Sequence, residues 1–292
     1  MFIATLIAAG NLSGGDISAA RDRLDQAGCL PAAHAWIDEG FAADVDFGLD
    51  PEAARIALAS GFPDIDIVVQ PAEGRAKRLL IADMDSTMIT VECIDELADY
   101  AGLKPEIAAV TEAAMRGELD FVAALEARVA LLKGLDERVI ERCLAERVTI
   151  MPGAVALVRT MKARGALAIL VSGGFTRFAE PVAAMIGFDR AIANRLEIVD
   201  GALSGRVIRP IVGSDTKERT LVEATVELGL SPEATLAVGD GANDLAMIKR
   251  AGLGVAYHAK PIVAAAAAAR IDHNDLTALL HAQGIARKDW VS

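Results

Sequence analysis

Aromatic side chains are scarce in this chain, 4% of its 292 residues, so any core must be built from Ala, Val, Leu and Ile. Cysteine is scarcer still. Cys29, Cys93 and Cys143 are far apart and odd in number, which excludes a disulfide ladder and a Cys-x-x-Cys zinc site. The histidines, His34, His258, His273 and His281, show no ligand spacing either. Basic charge is outnumbered, 29 Lys and Arg against 41 Asp and Glu, for a net charge of −12. That balance speaks against a nucleic-acid surface, which needs cations to neutralise phosphates. No run approaches the roughly 18–20 apolar residues of a membrane span. No Lys or Arg precedes Arg21, so the apolar start lacks the basic region of a signal peptide. A cytoplasmic protein that engages neither nucleic acid nor membrane is expected.

What the chain does have is a globular composition, 53% hydrophobic and 24% charged, and length enough for about two domains. The first should occupy residues 1–74. Residues 2–9 read as a strand, Asp16 can cap a helix closed by Gly28, and residues 34–47 hold a second strand-like stretch. Asp50-Pro51-Glu52 marks another helix start, and residues 65–70 a further strand. Residues 71–77 are polar enough to be a linker. This α+β unit carries no catalytic constellation. Its size and element order weakly resemble the small ACT-type regulatory domains that bind amino acids. A serine effector and a packing or homodimer-forming role are therefore both open for it.

The second domain, residues 75–292, opens on an unbroken apolar run at 79–82 that meets charge abruptly at Asp83 and Asp85. Such a run suits a strand buried on both faces of a parallel sheet. Taken alone, the two acids could equally bind a ligand at the strand end or cap the next helix. Helical segments are expected at about 93–101, 105–116, 121–132 and 137–147, a cap inserted at about 93–150. The α/β pattern resumes with a helix at 154–164 and a strand at 166–171 that ends in Ser172-Gly173-Gly174. An Asp-Gly hairpin is expected at 196–207, a helix from about 214, and a strand at 235–238. That last strand ends in Gly239-Asp240-Gly241-Ala242-Asn243-Asp244, and short final strands are expected at 252–256 and 269–271.

Three apolar strands thus end in polar chemistry, and in a parallel sheet those ends share one edge. Together they fit Mg²⁺-dependent phosphoryl transfer. Mg²⁺ takes hard oxygen ligands and keeps several waters, so a few carboxylates such as Asp83 and Asp240 suffice. Ser172 with Gly173 can offer a hydroxyl and backbone N–H groups to phosphate oxygens, and Lys217 a point charge. A carboxylate can act as nucleophile, with a second acid two residues on for acid–base work. A calcium loop fails at Met88 and Ile94, where an EF-hand needs Gly and Glu.

Asp83-Met84-Asp85-Ser86-Thr87, Ser172-Gly173-Gly174, Lys217 and the 239–244 segment resemble the four ordered motifs of the haloacid dehalogenase (HAD) superfamily. Over roughly residues 77–285 the similarity is to its phosphoserine phosphatase branch. The resemblance implies a Rossmann-like doubly wound parallel sheet with a helical cap. It implies that Asp83 is nucleophile and metal ligand, and that Asp85 is general acid and base and lends Mg²⁺ its backbone carbonyl. Asp240 would complete the metal ligands, Ser172, Gly173 and Lys217 would hold phosphate, Asn243 would line the substrate site, and Asp244 would support from behind. Glu92 and Arg128 match the branch's substrate-reading positions, one for an ammonium and one for a carboxylate. The implied reaction is hydrolysis of O-phospho-L-serine, the last step of serine biosynthesis. A phosphotransferase acting on another hydroxyl acceptor such as homoserine, and a non-catalytic amino-acid sensor, are the alternatives.

Overall fold

The computed structural model describes residues 1–115 and 118–292. The first six elements are β1 (Phe2–Ile7), α1 (Gly14–Gln26), β2 (Pro31–Asp38), β3 (Ala42–Phe47), α2 (Pro51–Ala59) and β4 (Asp66–Pro71). They form a four-stranded sheet in the order β2-β3-β1-β4, antiparallel throughout. This is the split βαβ arrangement. One face packs on α1 and α2 through Leu6, Leu24, Val45 and Leu58.

Two expectations change here. The stretch 34–47 is two strands, because the chain folds back at Gly40, whose φ of +80° suits glycine, and Phe41 N–H closes the turn on Asp38 O. The cap of α1 is Ser13, with Asp16 its reciprocal partner in a capping box, so the helix begins before Asp16.

The remaining elements are β5 (Leu79–Ala82), α3 (Cys93–Ala101), α4 (Lys104–Met115), α5 (Phe121–Leu131), α6 (Arg138–Arg147), α7 (Ala154–Ala163), β6 (Leu167–Phe175), α8 (Thr176–Ile186), β7 (Arg190–Val199), β8 (Ala202–Ile208), α9 (Ser214–Glu227), β9 (Thr235–Gly239), α10 (Leu245–Arg250), β10 (Leu253–Tyr257), α11 (Pro261–Ala264), β11 (Ala269–Ile271) and α12 (Ala278–Ala282). The expected end of α4 at Arg116 lies outside the described residues. β6 runs on through Ser172-Gly173-Gly174 to Phe175 instead of stopping at Val171. β7 begins earlier than the hairpin pattern indicated, because its first half pairs parallel with β6 before its second half turns back with β8.

The large sheet has seven strands in the order β11-β10-β9-β5-β6-β7-β8, parallel except for β8. Along β5, Leu80 and Ala82 face a core shared with α7 and α8, while Leu79 and Ile81 face α9 and α10. That alternation explains the unbroken apolar run: both faces of the strand are covered by helices. From β5 the chain leaves towards β6, and from β9 towards β10 on the other side. The crevice between the ends of β5 and β9 is the switch point, where α/β sheets bind ligands. Helices α3 to α6 are inserted directly after it, on a stem where Thr90 N–H reaches Thr149 O and Met151 N–H reaches Met88 O.

The free face of the small sheet lies against the C-terminal part of the chain. Ile7 and Val68 join the large core. Asp66, buried at the start of β4, accepts backbone N–H groups of Asp272, His273 and Asn274 and the Asn274 amide. Arg75 spans Asp44 and the carbonyl of Ala282.

Candidate active site

Asp83 follows β5 and continues its ladder, with its N–H 3.0 Å from Val238 O. The chain then coils tightly: the N–H groups of Thr87, Met88 and Ile89 all point to Met84 O, and Ser86 takes a left-handed φ of 54°. This turn delivers Asp83 and Asp85 into the crevice beside Asp240, which directly follows β9. Carboxylate oxygens of Asp83, Asp240 and Asp244 lie within 4.8 Å of one another.

Lys217, at the start of α9 and wholly buried, places Nζ 2.5 Å from Asp83 Oδ1 and 2.6 Å from Asp244 Oδ1. Burial works against its charge, but the two carboxylates outweigh burial and raise its affinity for the proton. Asp244 is doubly held, since its Oδ2 accepts the Gly241 N–H at 3.0 Å. A side chain on Gly239 would collide with it, a Cβ there standing 2.4 Å from Asp244 Cγ, so this strand end requires glycine.

Asp85 accepts the Cys93 N–H on Oδ1 at 2.9 Å and the Ser172 hydroxyl on Oδ2 at 3.2 Å. Burial, then the charges of Glu92 and Asp83, push its pKa up to about 7. Burial and Asp83 likewise push Asp240 up to about 6, though Thr87 Oγ1 donates to it at 3.1 Å, and push Asp244 up to about 7. One lysine therefore faces more buried negative charge than it can balance. With Asp244 taken up by Lys217 and Gly241, the open oxygens of Asp83 and Asp240 remain. Hard, anionic and clustered, they fit a small divalent cation such as Mg²⁺.

Ser172 Oγ accepts the Gly174 N–H at 2.8 Å, which takes that donor out of reach of an anion. Gly174 must lack a side chain, because a Cβ would stand 2.8 Å from Asp85 Oδ2. Asn243 is half-buried at the rim, with Oδ1 folded back over Gly241.

Glu92 is the residue before α3 but makes no capping bond; its carboxylate instead accepts the Ser86 hydroxyl at 2.6 Å. Burial raises its pKa, with Asp83 and Asp95 adding to the rise. Arg128 projects from α5 of the cap, its Nε bonded to Ala124 O. Burial lowers its pKa, opposed by Asp95, Glu92 and Asp85. The cap thus brings one arginine within electrostatic reach of Asp95, Glu92 and Asp85.

Several neighbours were not singled out in the sequence. Cys93 reaches Asp85 through its N–H, a contact no motif announces. The ring of Phe121 covers Gly173 and Gly213. Lys260 sends its N–H to Asp240 O at 3.3 Å, and its charge favours the ionised forms of Asp240 and Glu92. Asn194 is polar yet wholly buried in β7, at a position before the expected hairpin strand.

A doubly wound sheet with clustered carboxylates at its switch point and a helical cap above them defines the class of this molecule. Residues 80–249, more than half of the chain, match the model of the haloacid dehalogenase-like hydrolase family, and the chain belongs to that family. It is 46% identical over 246 residues to a phosphoserine phosphatase of Streptomyces coelicolor, an alignment covering 83% of this chain and 60% of the relative. Against the curated relatives from Streptomyces coelicolor, Archaeoglobus fulgidus and Mycobacterium tuberculosis, the chain spans 60%, 67% and 52% of their length. Among solved structures, a HAD family hydrolase of Salmonella enterica serovar Typhi superposes with a TM-score of 0.84 at 30% identity, covering 96% of this chain and 98% of the other. A probable phosphoserine phosphatase of Vibrio cholerae gives 0.77 at 32%, covering 99% and 87%. Among the described residues no helix is long and apolar enough to cross a membrane.

Proposed function

We propose that this protein is a Mg²⁺-dependent phosphatase that hydrolyses O-phospho-L-serine to L-serine and phosphate. The observation that carries the substrate is that Arg128 on the cap and Glu92, the residue before α3, lie close enough for their charges to act on each other and on Asp85. An arginine can grip a carboxylate through two parallel bonds, and a glutamate can take an ammonium, so the mouth suits a small amino acid. The phosphoserine phosphatases of Streptomyces coelicolor, Archaeoglobus fulgidus and Mycobacterium tuberculosis, to which the chain is similar, support the same reading.

Asp83 and Asp240 would hold the cation, with the Asp85 backbone carbonyl, and the cation when bound supplies charge neutralisation for phosphate oxygens. Asp83 attacks phosphorus, the bond from phosphorus to serine oxygen breaks, and Asp85 gives that oxygen its proton. The ionised Asp85 then takes a proton from water as the water attacks the aspartyl-phosphate, releasing phosphate and restoring Asp83. A pKa of about 7 lets one carboxyl serve as acid and then as base. Lys217, Ser172 and the Gly173 N–H hold the phosphoryl oxygens, with Asn243 beside the substrate and Asp244 keeping Lys217 in place. A cytoplasmic place at the end of serine biosynthesis follows from that substrate.

Inorganic phosphate release from O-phosphoserine, phosphoethanolamine and glycerol phosphate with Mg²⁺ tests the reading. Phosphoethanolamine lacks the carboxylate and glycerol phosphate lacks both charged groups. Comparable specificity constants for all three would contradict it.

Residues 1–74 form, in the same proposal, a separate small domain that serves regulation or assembly. Two serine sites per chain in calorimetry support an effector role; one site contradicts it.

A further inference from the structure

β6 and β7 pair in register from Ile169 with Arg190 to Val171 with Ile192, and then lose it. β6 runs from Val171 to Phe175 while β7 advances only from Ile192 to Asn194. The surplus on β6 is the bulge that carries Ser172, Gly173 and Gly174 into the crevice, and bulges of this kind re-aim side chains next to active sites. A bulge also strips backbone groups of their ladder partners, and buried ones must find others.

Asn194 is that other partner. Its Nδ2 donates to Gly173 O at 2.8 Å and to Val212 O at 3.0 Å, and its Oδ1 accepts the Val212 N–H at 2.7 Å. Wholly buried, it replaces a missing length of strand on two loops at once. One is the bulge; the other leads through Gly213 into α9 and Lys217. The two glycines lie side by side beneath one ring: a Cβ on Gly173 would stand 3.2 Å from Phe121 Cζ, and one on Gly213 would stand 3.2 Å from Phe121 Cε1.

We propose that Asn194 is a positioning residue, which fixes the separation of the Gly173 loop from the Gly213 loop and thereby the width of the phosphoryl site. It touches no substrate atom; it holds the carbonyl of Gly173, the residue whose N–H does, and the helix start that delivers Lys217. The proposal rests on the phosphoryl-site reading above, but not on serine as the leaving group.

The test compares the full-length wild type with N194A and N194S in the presence of Mg²⁺. Inhibition by inorganic phosphate reports on the phosphoryl site, and inhibition by L-serine on the mouth. Losing three buried hydrogen bonds should weaken phosphate inhibition roughly tenfold or more in N194A. N194S, whose hydroxyl can serve one carbonyl, should fall between. L-serine inhibition should stay within about twofold of wild type, as expected for a distant, independent contact. Should N194A not fold, N194S decides. Unchanged phosphate inhibition in a folded variant overturns the proposal, as does an equal loss for phosphate and serine, the mark of a general structural fault. A wild type that neither hydrolyses phosphoserine nor binds serine would sink the substrate reading instead, leaving the comparison of phosphate affinities to decide on Asn194.

Discussion

Lys217 Nζ lies 2.5 Å from Asp83 Oδ1, in a site where Lys217 is wholly buried. The bond leaves Asp83 with one oxygen committed and one open, and in the proposed mechanism it fixes the orientation of the attacking carboxylate. Removing the cation leaves Asp83 and Asp244 as uncompensated buried charges, a change that costs about 3–5 kcal/mol. K217A should therefore unfold at markedly lower urea concentration, and its phosphatase activity should fall on the order of 10²–10³-fold, as when a preorganised charge contact is lost. Urea titration with parallel assays checks both.

Arg128 acts on substrate binding in this account. A charge-assisted hydrogen bond contributes about 1.5–3 kcal/mol, so R128A should raise KM about tenfold or more for phosphoserine. Phosphoethanolamine, without a carboxylate, should respond far less. R128K should recover only part of the loss, because an ammonium cannot grip a carboxylate at two points.

The acid cluster makes stability depend on pH in a stated direction. Asp85, Asp240 and Asp244 hold their protons up to about 7, 6 and 7, against an ordinary 3.8. The folded protein thus binds more protons than the unfolded chain between those values. Stability from this source is complete below about 3.8 and is lost as pH rises through about 6 to 7. Metal-free protein should show a Tm that falls by of the order of 5 °C over that range, and Mg²⁺ should reduce the fall. Differential scanning calorimetry with and without EDTA measures it.

Asp66 ties the small sheet to the segment 272–274 through several donors at once. D66A strands those N–H groups in a buried place and should destabilise the protein by about 3 kcal/mol with kcat little changed. Deletion of residues 1–74 should do worse, because Ile7 and Val68 complete the large core and their loss bares its apolar surface. Thermal unfolding of both variants separates this mechanical role from an effector role.

The legible parts of the sequence were those in which local pattern and tertiary role coincide. The apolar run of β5 could be read because a strand covered on both faces has no polar side to interrupt it. Asp83, Asp85, Asp240 and Lys217 could be read because chemistry is concentrated at strand ends and in one helical turn. Asn194 escaped, since its task depends on a bulge in a neighbouring strand and on a loop that approaches only in three dimensions. The turn at Gly40 was missed for a smaller reason: Ala, Ile and Val on either side of it suit one long strand as well as two. Cys93 escaped because its contact with Asp85 is made by backbone, which carries no residue signature.

The central claim is tested most directly by the initial rate of inorganic phosphate release from O-phospho-L-serine, measured for wild type and D83N with Mg²⁺ and with EDTA. The account predicts steady release by wild type with Mg²⁺ and loss of activity with EDTA. It also predicts a folded D83N that releases nothing above background. Release by D83N at the wild-type rate, or a folded wild type that is inert with Mg²⁺, would contradict it.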